Sequence, residues 1–151
     1  MGLSLDIGCG VHKHLGALGV DRRNLPGVAV VCDFEQGLPF RDGSVTTVFL
    51  HNTVEHMDDL VTFMEELYRV CEPGAKVYVR TPYYASREAF VDPTHVRYIT
   101  EATFEYFDPR TIMGSRQTLK FAPRISRCEN RLNSCRAISR NASVDTSGMP
   151  V

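Results

Sequence analysis

An α/β fold organised around a mostly parallel sheet is the fold class this sequence predicts, and three observations predict it. Short β-rich runs recur along residues 1–107, each run ends on a polar or turn-forming residue, and a clear helix separates the last two runs. Buried parallel strands read as short apolar runs rich in β-branched and aromatic residues. Parallel neighbours also require crossover connections of one hand.

The runs come in order. Ser4-Leu5-Asp6-Ile7 enters Gly8-Cys9-Gly10, Ala17-Leu18-Gly19-Val20 ends at Asp21, and Val28-Ala29-Val30-Val31-Cys32 ends at Asp33. Val45 to Leu50 ends at His51-Asn52, and Lys76 to Arg80 ends at Thr81-Pro82. Between the fourth and fifth runs, Leu60, Met64, Leu67 and Cys71 recur at helical spacing, which predicts a helix over residues 58–71. Asp58 and Asp59 suit its positive end, and Pro73-Gly74 stops it. Glu101 to Phe107 predicts a shorter helix capped by Thr100. The segment from Gly10 to Leu18 is too short for a full crossover helix, and Gly37, Pro39 and Gly43 leave little room for one before Val45.

The 151 residues fit one domain, and 43% hydrophobic with 23% charged residues is an ordinary globular composition. No apolar run approaches the roughly 18 residues that cross a bilayer, and no signal peptide is evident. A cytoplasmic location with no membrane partner is the expectation. The five cysteines are widely spaced with no CxxC pair, so reduced thiols are expected, and neither a disulfide framework nor a metal site. His12 and His14 flank Lys13 but lack Cys or acidic ligands at suitable spacing.

Charge divides the chain. Residues 1–107 hold 9 basic and 15 acidic residues, a net of −6, whereas residues 108–151 hold 8 and 3, a net of +5. The expected organisation is therefore a core over 1–107 and a basic, largely irregular tail over 108–151, in which Thr118 to Ala122 could make a strand. The tail has no aromatic residue beyond Phe121 and no recognisable module, which disfavours nucleic acid as a partner.

In a parallel sheet, ligands bind beyond the carboxyl ends of the strands, near the switch in strand order. Those ends here present Asp6, Gly8, Gly10, Asp21, Asp33, His51, Asn52 and Thr81. Glycines in the first loop let a ligand approach the backbone closely. A carboxylate at Asp6 would repel a pyrophosphate but suits a cationic amino group, and Lys13 stands where a dinucleotide fingerprint has its third glycine. Asp21 is placed to accept hydrogen bonds from ribose hydroxyls, Asp33 from an adenine amino group, and Phe34 offers the ring an apolar face.

Leu5-Asp6-Ile7-Gly8-Cys9-Gly10, Gly19-Val20-Asp21, Cys32-Asp33, Leu38-Pro39-Phe40, Asn52-Thr53-Val54-Glu55-His56 and Arg69-Val70-Cys71-Glu72-Pro73-Gly74 follow one another at familiar spacing. This set resembles the class I S-adenosylmethionine (SAM)-dependent methyltransferases with a Leu-Glu-His signature before the fourth helix, Val54 standing for the usual Leu. The resemblance covers residues 4–107. It implies a Rossmann-like sheet of about five core strands in the order 3-2-1-4-5, with SAM as cofactor. The implied cofactor residues are Asp6, Gly8, Cys9, Gly10, Asp21, Asp33, Phe34, His51 and Asn52.

Two departures stand out: the loop after Gly10 is shortened to Val11-His12-Lys13-His14, and the sheet is expected to lack the usual last two strands. The expected function is methyl transfer to a small-molecule acceptor by in-line displacement, with the protein supplying alignment and a dry pocket. The alternative is a truncated or degenerate binding module without activity. Tyr83, Tyr84, Asp92 and His95 overhang the expected pocket, and His95 is the first candidate for a general base because imidazole titrates near neutral pH. The competing reading has His95 and Asp92 pin the loop. An unpaired fifth strand would be an open sheet edge, through which a homo-oligomer could form.

Overall fold

The computed structural model describes residues 2–107 and the backbone of residues 134–137. Its strands are β1 (Leu3–Ile7), β2 (Leu18–Asp21), β3 (Val28–Val31), β4 (Val45–His51), β5 (Cys71–Pro82) and β6 (Ser134–Ala137). They form one sheet in the order β3-β2-β1-β4-β5-β6, in which β1 to β5 are mutually parallel. The expected Rossmann-like order of the first five strands is therefore present.

The chain reverses its direction of travel across the sheet between β1 and β4. Their register, with Asp6 opposite Phe49 and Ile7 opposite Leu50, brings the loops after both strands together. This is the switch point at which parallel α/β sheets open a crevice.

Helix α1 (Leu60–Val70) begins two residues later than its apolar period implied. Asp59 is the cap: its side chain accepts from the Thr62 amide at 3.0 Å, satisfying a helix-end donor. The apolar side of α1, with Phe63, Met64 and Leu67 wholly buried, joins Leu5, Ile7, Val48, Leu50, Val77 and Val79 in the core. Strand β5 starts directly at Cys71, and its pairing with β4 slips between Cys71 and Lys76, where Gly74 adopts a φ of 89°. Short helices α2 (Glu88–Val91) and α3 (Glu101–Glu105) follow, α3 carrying the expected Thr100 cap as a reciprocal pair with Thr103.

Among the described residues, no helix links β1 to β2, β2 to β3 or β3 to β4; turns replace them, as the short loops implied. The sheet is consequently covered on the α1 side, while its other side carries a stack of rings in which Phe49 and Tyr78 are half-buried and His14 is exposed. His14 lies 3.7 Å from Phe49, and Phe49 lies 5.2 Å from Tyr78, each pair near parallel.

Of the expected irregular tail, only residues 134–137 are described, and they form a strand. Ser134–Ala137 pairs antiparallel with Val79–Pro82 of β5, so the edge on which self-association was expected is occupied there. The expected strand over Thr118–Ala122 lies outside the described residues. No helix of the described residues is long and apolar enough to cross a membrane.

Candidate active site

Two adjoining cavities open at the carboxyl ends of the strands. The first, about 320 Å³, is lined by Gly8, Asp21, Phe34, Asn52 and Thr53, together with Arg22, Arg23, Glu35, His56 and Met57. The second, about 450 Å³, is lined by Asn52, Glu55, His56, Pro82, Arg87, Glu88, Val91, Asp92 and His95. Asn52 and His56 belong to both.

The glycine loop owes its shape to backbone conformations that other residues resist. Gly8 has a φ of 70°, and a Cβ there would stand 2.7 Å from the Thr53 side chain. Thr53 cannot retreat, because its hydroxyl bonds the carbonyls of Ile7 and His51, both at 3.1 Å, tying β1 to β4. Gly10 has a φ of 54°, and a Cβ there would meet nothing within 4 Å. One loop glycine thus serves the fold, and the other keeps a surface open. Asn52, at a φ of 50°, is the one left-handed non-glycine among the described residues. Such residues cluster at ligand sites, and Asn tolerates the conformation best.

Asp21, expected to accept from ribose hydroxyls, also braces the glycine loop. Its Oδ2 accepts from the Gly10 amide and its Oδ1 from the Arg23 amide, both at 2.9 Å, and it is almost buried. A carboxylate offers about four acceptor positions, so both oxygens keep capacity for hydroxyl donors. Asp6 is 1% exposed; its Oδ2 accepts from the His14 amide at 2.6 Å, while Oδ1 has no hydrogen-bond partner. The shortened loop therefore closes over Asp6, which does not line either cavity. Cys9 is buried beside it, and burial pushes its thiol pKa up.

Phe34 lines the first cavity, but its ring carries a guanidinium. Arg22 sits 4.9 Å above the ring centroid, held by Asp33 at 3.0 Å and by Glu35. Glu35 also accepts from the amides of Asp58 and Asp59 at 2.8 and 3.2 Å, which links the end of β2 to the start of α1. Asp33 and Gly10 are not among the lining residues. His51 is exposed and packs edge-on against Phe49 on the ring-bearing side of the sheet. Of the nine residues expected around a cofactor, Gly8, Asp21, Phe34 and Asn52 meet in one cavity.

Around the second cavity the 83–99 loop is pinned to the Val54–His56 turn. The Glu55 carbonyl accepts from the amides of Val96 and Arg97, and Arg97 donates to the carbonyls of Met57 and Asp58. Glu55 is 1% exposed, and its Oε2 accepts from the Thr81 hydroxyl at 2.9 Å. Burial pushes its carboxyl pKa above the ordinary range, against the hydrogen bonds it accepts. His95 lines this cavity, 3.9 Å from Asp92, whereas Tyr83 and Tyr84 do not.

Arg22, Arg23, Glu35, Thr53 and Met57 were missed by sequence reasoning. Arg22-Arg23 carried a signal, being two adjacent cations directly after a strand-end acid in the acidic part of the chain. Thr53 and Met57 carried none, since only the meeting of β1 with β4 gives them a role.

Residues 11–79 match the sequence family described as Methyltransferase domain. A demethylmenaquinone methyltransferase of Streptomyces avermitilis is 32% identical over 65 residues, which is 43% of this chain and 28% of that protein. A crystal structure of a SAM-dependent methyltransferase from Archaeoglobus fulgidus superposes with a TM-score of 0.65 at 21% identity, over 85% of this chain and 66% of that one. A SAM-dependent methyltransferase from Thermotoga maritima, a possible histamine N-methyltransferase, does so at 0.59 and 20%, over 70% and 60%. The chain spans just over a quarter of the curated relative and slightly less than two thirds of these structures. Strand order places the chain in the Rossmann-like fold of these methyltransferases, and residues 11–79 are similar to the methyltransferase domain family, for which SAM is the implied cofactor.

Proposed function

We propose that this chain binds SAM in the first cavity and transfers its methyl group to a small-molecule acceptor held in the second. The observation that carries the reading is the junction of the two cavities at Asn52, directly beyond the switch between β1 and β4. The residues fit the cofactor: Gly8 lines the cavity without a side chain, Asp21 keeps acceptor capacity for ribose hydroxyls, and Phe34 provides an aromatic wall. Both cavities fall in the roughly 300–1,000 Å³ range of small-molecule sites.

SAM, when bound, supplies an already activated methyl group, so the chain's residues mainly align and desolvate the reactants. Gly8, at the cavity wall, would let the backbone approach the methionine part, and Asp21 would hold the ribose. Phe34 would offer its ring to adenine only with Arg22 displaced from the 4.9 Å stacking position it holds here. Asn52 would set the boundary between donor and acceptor, with His95 on the acceptor side.

A thermal melt tests the reading. A ligand that binds only the folded chain raises its melting temperature by mass action. S-adenosylhomocysteine (SAH) at millimolar concentration should raise it, and NAD should not. No shift with SAH, or an equal shift with NAD, would overturn the assignment.

One observation favours the inactive alternative: Asp21 and Phe34 already have protein partners in Gly10, Arg23 and Arg22. Labelled methyl transfer from SAM into a metabolite extract separates the two, since a pure binding module transfers none.

A further inference from the structure

We propose that Glu55, His56 and His95 form a binding site for a divalent transition-metal ion at the wall of the second cavity. One ligand-capable atom on each of the three residues lies within 4.8 Å of the other two. Donor atoms around a tetrahedral zinc ion lie roughly 3.3 Å apart, given metal–ligand bonds of about 2.0–2.1 Å. A small contraction of two side chains therefore closes the set.

The hydrogen bonds around the three groups prepare them for a cation. His56 Nδ1 lies 3.2 Å from the Thr94 carbonyl, and His95 Nδ1 lies 3.1 Å from the Ala89 carbonyl. A carbonyl only accepts, so each imidazole carries its proton on Nδ1 and leaves the Nε2 lone pair free for a metal. The Thr94 hydroxyl donates to Asp92 at 2.6 Å, and its oxygen sits 3.1 Å from His56 Nδ1. Metal-binding histidines usually have such an outer partner, which fixes ring orientation and tautomer.

Glu55 supplies a second and independent observation. Its Oε1 is buried and has no hydrogen-bond partner, although Oε2 is held by Thr81. Buried carboxylate oxygens without a donor are costly, and each calls for an explanation. A cation between Glu55 and two unprotonated nitrogens removes that cost. Asp92 Oδ2, 3.9 Å from His95 Nε2, stands within reach as a further ligand.

Two imidazoles and one carboxylate select zinc, iron, manganese or cobalt over magnesium and calcium, which favour all-oxygen sets. The 450 Å³ cavity gives the ion a route in and room for an exchangeable ligand. Placed beside Asn52, such an ion would hold an acceptor through an oxygen lone pair. That assignment of acceptor class to oxygen-bearing small molecules rests on the methyl-transfer reading; the metal site does not.

The test is a titration of the metal-free full chain with Co²⁺, followed by visible absorption. Expected are saturation at one equivalent, displacement by Zn²⁺ and none by millimolar Mg²⁺. His56→Ala and His95→Ala should each weaken binding at least tenfold with circular dichroism unchanged, while His12→Ala/His14→Ala leaves it intact. Because Glu55→Gln disturbs a buried group, the histidine variants decide. No saturable Co²⁺ binding, binding unchanged in both histidine variants, or a thiolate charge-transfer band would each overturn the site. SAH calorimetry on the same metal-free chain reports separately on the methyl-transfer reading, so either proposal can fail alone.

Discussion

Gly8 and Gly10 stand two residues apart, yet they answer to different constraints. At Gly8 a methyl group would collide with a Thr53 side chain that is bonded to two carbonyls. Gly8→Ala should therefore cost about 2–3 kcal/mol in urea unfolding, combining left-handed strain with overpacking. Gly10→Ala carries the strain alone and should cost about 1 kcal/mol. Its effect should fall instead on SAH affinity, where the added methyl meets the ligand. Equal stability losses in the two variants would contradict this division of labour. Cys71 gives a further residue-scale prediction. Burial pushes its thiol up to about 12, and only the thiolate alkylates readily. In the folded chain at about pH 8, peptide mapping should find Cys71 unmodified by iodoacetamide, and modified once urea unfolds it.

The loop from Leu38 to Asp42 has no secondary structure of its own, so α1 holds it in place. Arg69 donates to the carbonyls of Leu38 and Phe40, to Asp42 and twice to Glu66, while Glu66 accepts from the Leu38 amide. Arg69→Ala leaves two carbonyls and two carboxylates without this donor and should cost about 2 kcal/mol. The same pair predicts an acid limb. The Arg69 hydrogen bonds hold Glu66 below its ordinary value of 4.5, burial opposing them. A depressed carboxyl stabilises fully above its unfolded value, and that stabilisation is lost as pH falls through the folded value. Unfolding free energy should thus decline below about pH 4.5, less steeply in Glu66→Gln. An identical decline in both proteins would remove Glu66 from the account. The strands were legible as short apolar runs ending on polar residues, and α1 because its apolar residues recur at helical spacing. The Arg69 clamp was not, since Leu38 and Arg69 are far apart in sequence and only packing joins them. Likewise, His95 reaches Glu55 because the 83–99 loop folds back, which no spacing encodes. Strand β6 was missed because Ser134-Cys135-Arg136-Ala137 has no β pattern of its own; the open edge of β5 recruits it.

Across the whole molecule, α1 and the sheet form one core, and the strand ends it aligns form the two cavities. The parallel sheet was readable because polar residues end short apolar runs, and the strand order was what the resemblance implied. The pairing of the last edge was not. Ending the chain at Phe107 would expose the β5 backbone over Val79–Pro82, and open edges invite pairing between chains. Light scattering should then find the shortened chain more self-associated than the full one at equal concentration; equal association would show that β6 does not protect the edge. The central claim concerns the first cavity, where Asp21 links the glycine loop to the expected ribose position. Calorimetric titration with SAH tests it most directly, on the full chain and on Asp21→Ala. The account predicts a single saturable site that weakens at least tenfold in a variant still folded by circular dichroism. No binding at millimolar SAH, or the same affinity in Asp21→Ala, would contradict it.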